Sequence, residues 1–311
     1  MSRIRKGDQA FDRAGLYGTE TEMPFSGARS FMRRKYTREL KGVDWAVMGI
    51  PYDLSTSGRP GARLGPNAIR NASSQLSWGK VWPWGFDPFD HLAVVDYGDV
   101  FYQRGQPDEM IEAALQQARA IIEAGVKLIT LGGDHLITYP MLKAHAATHG
   151  PLALIQFDAH RDTADSDFLD HGTFVHHAIK DGTVDPAHSI QIGIRTFYDH
   201  DDPMRVVYRP DVRTMGAAAV VAEIERVVGD RPAYLTFDVD CFDPSFAPGT
   251  GTPVVDGLFP GEVFDMIRAL TTLNIVGMDV VEVAPPYDVA ENTALLAASV
   301  VLEFLCGRVR V

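Results

Sequence analysis

Three short stretches of the 311-residue chain concentrate groups that can bind metal or move protons. GGDH (132–135) carries Asp134 and His135, FDAHRDT (157–163) carries Asp158, His160 and Asp162, and FDVDCFDP (237–244) carries Asp238, Asp240 and Asp243. A fourth apolar run, NIVGMDVV (274–281), ends at Glu282. Residues i and i+2 of a strand point to one face, so Asp238 can converge with Asp240, and Asp158 with His160 and Asp162. Carboxylates packed this closely repel one another unless cations sit among them. Asp158, Asp162, Asp238 and Asp240 bring four negative charges, and His135 and His160 add neutral imidazoles. Two divalent cations would neutralise that set. Oxygen-rich ligation with imidazole suits Mn²⁺, and two such ions held close together lower the pKa of a shared water until a nucleophile exists at neutral pH. Any one of these motifs alone is more often a turn or a cap. The expectation of a binuclear centre rests on all three following buried strands.

The elements that must position these groups are readable from periodicity. WAVMGI (45–50), LAVVDYGDV (92–100), VKLITL (126–131), LALIQF (152–157), SIQIGIR (189–195), AYLTF (233–237) and NIVGMDVV read as short, nearly all-apolar strands. Residues 107–124 place Met110, Ile111, Ala114, Leu115, Ala118, Ile121 and Ile122 on one helical stripe, with Pro107 in the first turn and Gly125 beyond the last. Further helices are expected at 217–228 and 291–305. Apolar strands alternating with helices predict an α/β fold with a parallel sheet covered on both faces, and ligands in such sheets bind beyond the carboxyl ends of the strands. Residues 1–42 read as an irregular N-terminal arm, and 43–311 as a single catalytic domain.

Composition narrows the class. A net charge of −12 and a pI near 5.2 argue against nucleic-acid binding, which needs a basic face. Cys241 and Cys306 are the only cysteines, so a reducing cytoplasm is expected. The polar start MSRIRKGDQAFDRAG shows no secretory signal, and no apolar run approaches the ~18 residues of a membrane span.

The three signature blocks, with GIPYDLSTSGRPGARLGPNAIR (49–70), VVDYGDV (94–100), DHGT (170–173), SIQIGIRT (189–196) and NIVGMDVVEVAPPYD (274–288), resemble the ureohydrolases, the family of arginase, agmatinase and relatives. The blocks look most like agmatinase sequence, and the resemblance runs from about residue 24 to the end. It implies a three-layer α/β/α sandwich around a mostly parallel sheet, two Mn²⁺ per subunit, and hydrolysis of a guanidino group to urea and an amine. Agmatine, giving putrescine, is the favoured substrate. By resemblance His135 and Asp162 would bind one metal, His160 and Asp240 the other, and Asp158 and Asp238 would bridge both. Asp162 would also accept a hydrogen bond from the attacking water, His171 would pass a proton to the leaving amine, and Glu282 would grip the guanidinium. Relatives assemble as trimers or hexamers, so a homo-oligomer is expected.

Other residues carry weaker expectations. Asp243 would anchor a loop behind the ligands, Cys241 would be a small buried filler, and Gly58, Gly61, Gly65 and Pro66 would shape a loop near the site. His176 and His177 are expected on the surface or in structural roles, and Trp78, Trp82 and Trp84 in the core or a subunit contact. The acids of TADSDFLD (163–170) and FYDHDDP (197–203) would favour a cationic substrate tail. Arg161, pointing away from the metals by alternation, would pair with an acid. If it reached the pocket instead, 4-guanidinobutyrate or 3-guanidinopropionate would become attractive. A non-catalytic relative is disfavoured because every ligand position is filled.

Overall fold

The structure is a computed structural model and describes residues 9–12, 15–18, 23, 25–199 and 204–310. Its strands are β1 (Lys35–Tyr36), β2 (Trp45–Ile50), β3 (Val94–Asp99), β4 (Lys127–Gly132), β5 (Ala153–Phe157), β6 (Ile190–Ile194), β7 (Arg205–Tyr208), β8 (Ala233–Asp238) and β9 (Ile275–Val281). Its helices are α1 (Gln9–Asp12), α2 (Gly65–Ser73), α3 (Pro107–Glu123), α4 (Thr138–His149), α5 (Phe174–Lys180), α6 (Arg209–Met215), α7 (Ala217–Val228), α8 (Pro260–Ala269) and α9 (Asn292–Cys306). Among the described residues no helix is long and apolar enough to cross a membrane.

The strands form one nine-stranded sheet in the order β1-β3-β2-β4-β9-β8-β5-β6-β7, and every pairing is parallel. Alternation splits each strand between two apolar clusters. Ile129, Leu131, Leu235 and Phe237 face helices α2, α7, α8 and α9, while Leu128 and Tyr234 face α3, α4 and α5. This is the expected three-layer sandwich, and burial on both faces is why the strands read as continuous apolar runs. Chain order runs outward to one edge through β2 and β3, then to the other through β5, β6 and β7. Strands β8 and β9 return to fill the gap beside β4. The carboxyl ends of β4, β9, β8 and β5 are therefore neighbours at the switch of direction, where crevices form.

Two features depart from the sequence reading. Within the stretch read as an irregular arm, Phe31 and Met32 are fully buried, the Phe31 amide donates to Asp96 Oδ2 at 2.7 Å, and β1 extends the sheet beside β3. Its apolar residues have a core face to cover. Much of the rest of that arm lies outside the described residues. Strand β7, RVVY, buries only its two valines, a pattern too short to read from sequence.

One buried histidine links this packing to pH. His145 on α4 bonds through Nδ1 to the Met141 carbonyl at 2.8 Å, while Nε2 is buried against Gly277 of β9 with no hydrogen-bond partner. Burial pushes its pKa down to about 4, the Met141 carbonyl opposing. The unfolded chain, with an ordinary value near 6.5, takes up the proton first, so His145 costs stability as pH falls from about 6.5 towards about 4. The expected loss between pH 7 and pH 5 is about 2 kcal/mol. Urea unfolding of parent and His145→Leu protein at both pH values checks this. An equal pH dependence in the two would reject the assignment.

Candidate metal centre

The site is built from strand ends. Asp158 follows the last residue of β5, its amide donating to the Ile192 carbonyl of β6 at 3.1 Å, so it continues the sheet. Gln156, two residues earlier on the same face, donates to Asp158 Oδ2 at 2.8 Å. The amides of His160 and Ala159 donate to Asp158 Oδ1 (2.6 Å) and Asp240 Oδ1 (3.1 Å), and the Asp240 amide donates to Asp238 Oδ1 (2.7 Å). These turns hold the carboxylates in fixed rotamers. His135 opens a 3₁₀ turn capped by Asp134, which accepts from the Leu136 amide. Asp162 and Glu282 have φ of +52° and +64°, a left-handed conformation that costs a side-chain-bearing residue on the order of 1 kcal/mol and is kept where surrounding contacts enforce it.

Two ligand sets result. His135 Nδ1 lies 3.1 Å from Asp158 Oδ2, 3.0 Å from Asp162 Oδ2 and 3.2 Å from Asp238 Oδ2. His160 Nδ1 lies 3.0 Å from Asp240 Oδ2 and 3.5 Å from Asp158 Oδ1. His135, Asp158 and Asp162 form one group able to hold an ion, Asp158, His160 and Asp240 another, each with ligand atoms within 4.8 Å of one another. Asp158 belongs to both, turning one oxygen to each.

The donors fit a pair of hard or borderline cations. His135 Nδ1 is buried with three carboxylate oxygens around it, yet none of them completes a hydrogen bond to it. Burial and the Asp158 charge push Asp162 up to about 6, and burial with Asp240 and Asp158 pushes Asp238 well above the carboxylate range. Burial opposes the charge on Asp158 too, but the adjoining His135 and His160 hold it well below that range. Acids driven apart in this way are sharing too little positive charge. Cys241 is buried and burial raises its thiol further, so it adds no thiolate.

Glu282 and His171 sit beside the ligands. Glu282 Oε1 accepts from the His135 amide at 2.9 Å and faces His171 Nδ1 at 3.0 Å, while its Oε2 is buried without a hydrogen-bond partner. His171 Nε2 accepts from the Ser57 amide at 2.9 Å and lies 2.8 Å from Ser57 Oγ. Burial opposes the charged ring, but Glu282 outweighs it and lifts His171 to about 9. A proton on Nε2 cannot coexist with an amide donating there. The charged ring must therefore exchange the Ser57 amide for the hydroxyl, which can accept. The loop carrying Ser57 is fastened by Arg59, whose Nη2 donates to the Thr250 carbonyl at 2.8 Å and whose guanidinium lies 4.4 Å from the Tyr287 ring centre. Gly58 permits the closeness, since a Cβ there would stand 2.8 Å from the Gly251 carbonyl oxygen.

All eight predicted site residues, His135, Asp158, His160, Asp162, His171, Asp238, Asp240 and Glu282, thus gather at one end of the sheet. The others separate from it. Asp134 accepts from the Ser55 amide and hydroxyl, and Asp243 from Ser245 and the Gly257 amide, so each fastens a loop. The buried Arg161 guanidinium lies 5.1 Å from the Tyr198 ring centre. His177 Nε2 meets the Phe168 carbonyl, and His176 lies 3.5 Å from Asp165. Trp84 donates to Glu303, whereas Trp78 and Trp82 are exposed. Of the FYDHDDP acids, Asp201 and Asp202 lie outside the described residues. Sequence reasoning missed Gln156 and Thr236, polar residues at strand positions read only as apolar, and Asp279, hidden inside an apolar run. An i+2 relation to Asp158 and Asp238 was the available signal for the first two.

The arginase family model matches residues 43–307. The chain belongs to the arginase family. It is 53% identical to the agmatinase of Chromobacterium violaceum over 304 residues, covering 96% of this chain and 94% of that protein. It is 50% identical to the agmatinase of Escherichia coli O7:K1 over 265 residues, covering 85% and 87%. Among solved structures, a hypothetical agmatinase from Burkholderia thailandensis superposes with a TM-score of 0.95 at 51% identity, covering 97% of this chain and 96% of that one. The proclavaminate amidino hydrolase of Streptomyces clavuligerus gives 0.87 at 36%, covering 92% and 98%. This family member thus shares its nine-stranded architecture with amidine-hydrolysing enzymes along nearly its whole length.

Proposed function

We propose that the protein is an amidinohydrolase that cleaves agmatine to putrescine and urea at a binuclear metal centre. The observation that carries this is the pairing of two ligand sets sharing Asp158 with a buried Glu282 whose Oε2 is unpartnered. Near-complete coverage by agmatinases at about half identity supports the substrate.

In this reading His135, Asp158, Asp162 and Asp238 hold one cation, and Asp158, His160, Asp238 and Asp240 the other, with Mn²⁺ the ion best suited to the donors. When bound, the pair supplies an ionised water at neutral pH. The protein's own groups do the rest. Glu282 Oε2 takes the guanidinium by charge-assisted hydrogen bonds and fixes its carbon in place. Asp162 orients the attacking water. His171 carries a proton on the nitrogen beside Ser57 and delivers it to the departing amine, a role suited to an imidazole.

The acids Asp165 and Asp167 lie on the loop after β5, Asp199 lies on the loop after β6, and together they would draw in the ammonium tail of agmatine. Arg161, stacked on Tyr198, is occupied as a structural group, which disfavours a carboxylate-tailed substrate. The reading includes a homo-oligomer, trimer or hexamer, that covers the exposed Trp78 and Trp82. It also includes a cytoplasmic setting, in keeping with two buried free thiols.

The test is urea release from agmatine, 4-guanidinobutyrate, 3-guanidinopropionate and arginine by protein stripped with chelator and reloaded with single metals. Agmatine should lead the panel, and Mn²⁺ should restore the most activity. A lead for either guanidino acid would reassign the substrate, and better rescue by Ni²⁺ would reassign the metal.

A further inference from the structure

Beneath the metal centre lies a buried carboxylate that nothing above has used. Asp279, in the middle of β9, stands in register with Thr236 of β8 and Thr130 of β4 and is fully buried. Three hydroxyls donate to it: Thr236 to Oδ1 at 2.6 Å, and Thr138 and Tyr234 to Oδ2 at 2.8 and 2.9 Å. All three donors are fully buried as well. His135 Nε2 lies 2.8 Å from the Thr236 oxygen.

The direction of each bond follows from what each group can do. An ionised carboxylate only accepts, so the single hydroxyl proton of Thr236 is committed to Asp279. The Thr236 oxygen can then only accept from His135, which places the neutral ring's proton on Nε2. The lone pair is left on Nδ1, the atom surrounded by Asp158, Asp162 and Asp238. A neutral ring with its proton on Nδ1 would offer that cluster no ligand.

We propose that Asp279 is a positioning residue that acts through Thr236 to hold His135 in the one tautomer able to take a metal ion on Nδ1. The inference rests on reading the carboxylate–imidazole cluster as a metal centre. It also accounts for a charged residue in the interior of a strand that is otherwise apolar. Outer hydrogen-bond partners of this kind set ligand orientation and basicity, and their loss typically lowers metal affinity about 10–100-fold.

Asp279→Asn tests it at constant shape. The carboxamide can donate to the Thr236 oxygen, freeing the hydroxyl proton to turn towards His135 Nε2 and inverting the tautomer. Mn²⁺ titration of stripped protein, followed by the electron paramagnetic resonance of the free ion, counts the sites and their affinities without reference to turnover. The parent should take up two ions per subunit. Asp279→Asn should weaken one site by about 10–100-fold and leave the other near the parental value, turning a spin-coupled pair into an isolated-ion signal at limiting metal. Thr236→Val should reproduce the defect, and Thr236→Ser, which restores the hydroxyl, should rescue it. A residue needed only for folding would lower the melting temperature of the stripped protein without singling out one site. Parental binding at both sites in Asp279→Asn or in Thr236→Val would overturn the inference alone. A parent that takes up no Mn²⁺ would overturn the metal-centre reading beneath it.

Discussion

Asp158→Ala protein is expected to lose both metal ions and all measurable urea release, while keeping the fold. Asp158 is shared by the two ligand groups, with Oδ2 at 3.1 Å from His135 Nδ1 and Oδ1 at 3.5 Å from His160 Nδ1. Removing it leaves Asp162, Asp238 and Asp240 repelling one another without the partner that ties them together. The loss in metal affinity should exceed the roughly 10–100-fold that follows when an outer hydrogen-bond partner is deleted. Metal content after gel filtration and urea release measured on the same sample decide the matter. Parental metal content with parental turnover would remove Asp158 from the bridging position. The fold should survive, because Asp158 lies just beyond β5, whose pairing with β6 and β8 involves residues 153–157.

His171→Ala should behave in the opposite way, binding metal as the parent does and losing turnover by roughly 10²–10⁴-fold, the usual share of a proton-transfer group. None of the close approaches between ligands runs through His171, whose ring touches Glu282 and Ser57 instead. The loss should fall on kcat more than on KM, because Glu282 still holds the guanidinium. Steady-state kinetics on the Mn²⁺-loaded variant, with metal content measured in parallel, separate the possibilities. An unchanged kcat would reject the proton-transfer role, and a loss of metal would move His171 into the ligand set.

Much of this was written into local sequence. Strands buried on both faces need continuous apolar runs, and those runs placed β2, β4, β5, β8 and β9 to within a residue or two. Helix α3 ran from Pro107 to Glu123 with Gly125 at φ +77°, as its apolar stripe and end signals required. The ligand residues were legible because charged groups at the ends of apolar strands have few other reasons to be there. Strand β7 and the buried Phe31–Met32 turn were not, since a four-residue edge strand and a one-turn contact leave too little pattern to read.

By itself, the sequence determined which residue types stand at which strand ends, the local twofold alternation that pairs Asp238 with Asp240 and Asp158 with His160, and the family to which the chain belongs. Only the tertiary structure decided that β4, β9, β8 and β5 lie side by side, because strand order depends on crossovers between segments more than 100 residues apart, such as β4 and β9. It alone bent Asp162 and Glu282 into left-handed backbone so that they face the cluster, a conformation that neighbouring contacts impose against local preference. It alone set Asp279 under His135, because a carboxylate inside an apolar strand shows its purpose only when the hydroxyls of Thr138, Tyr234 and Thr236 are seen to meet it.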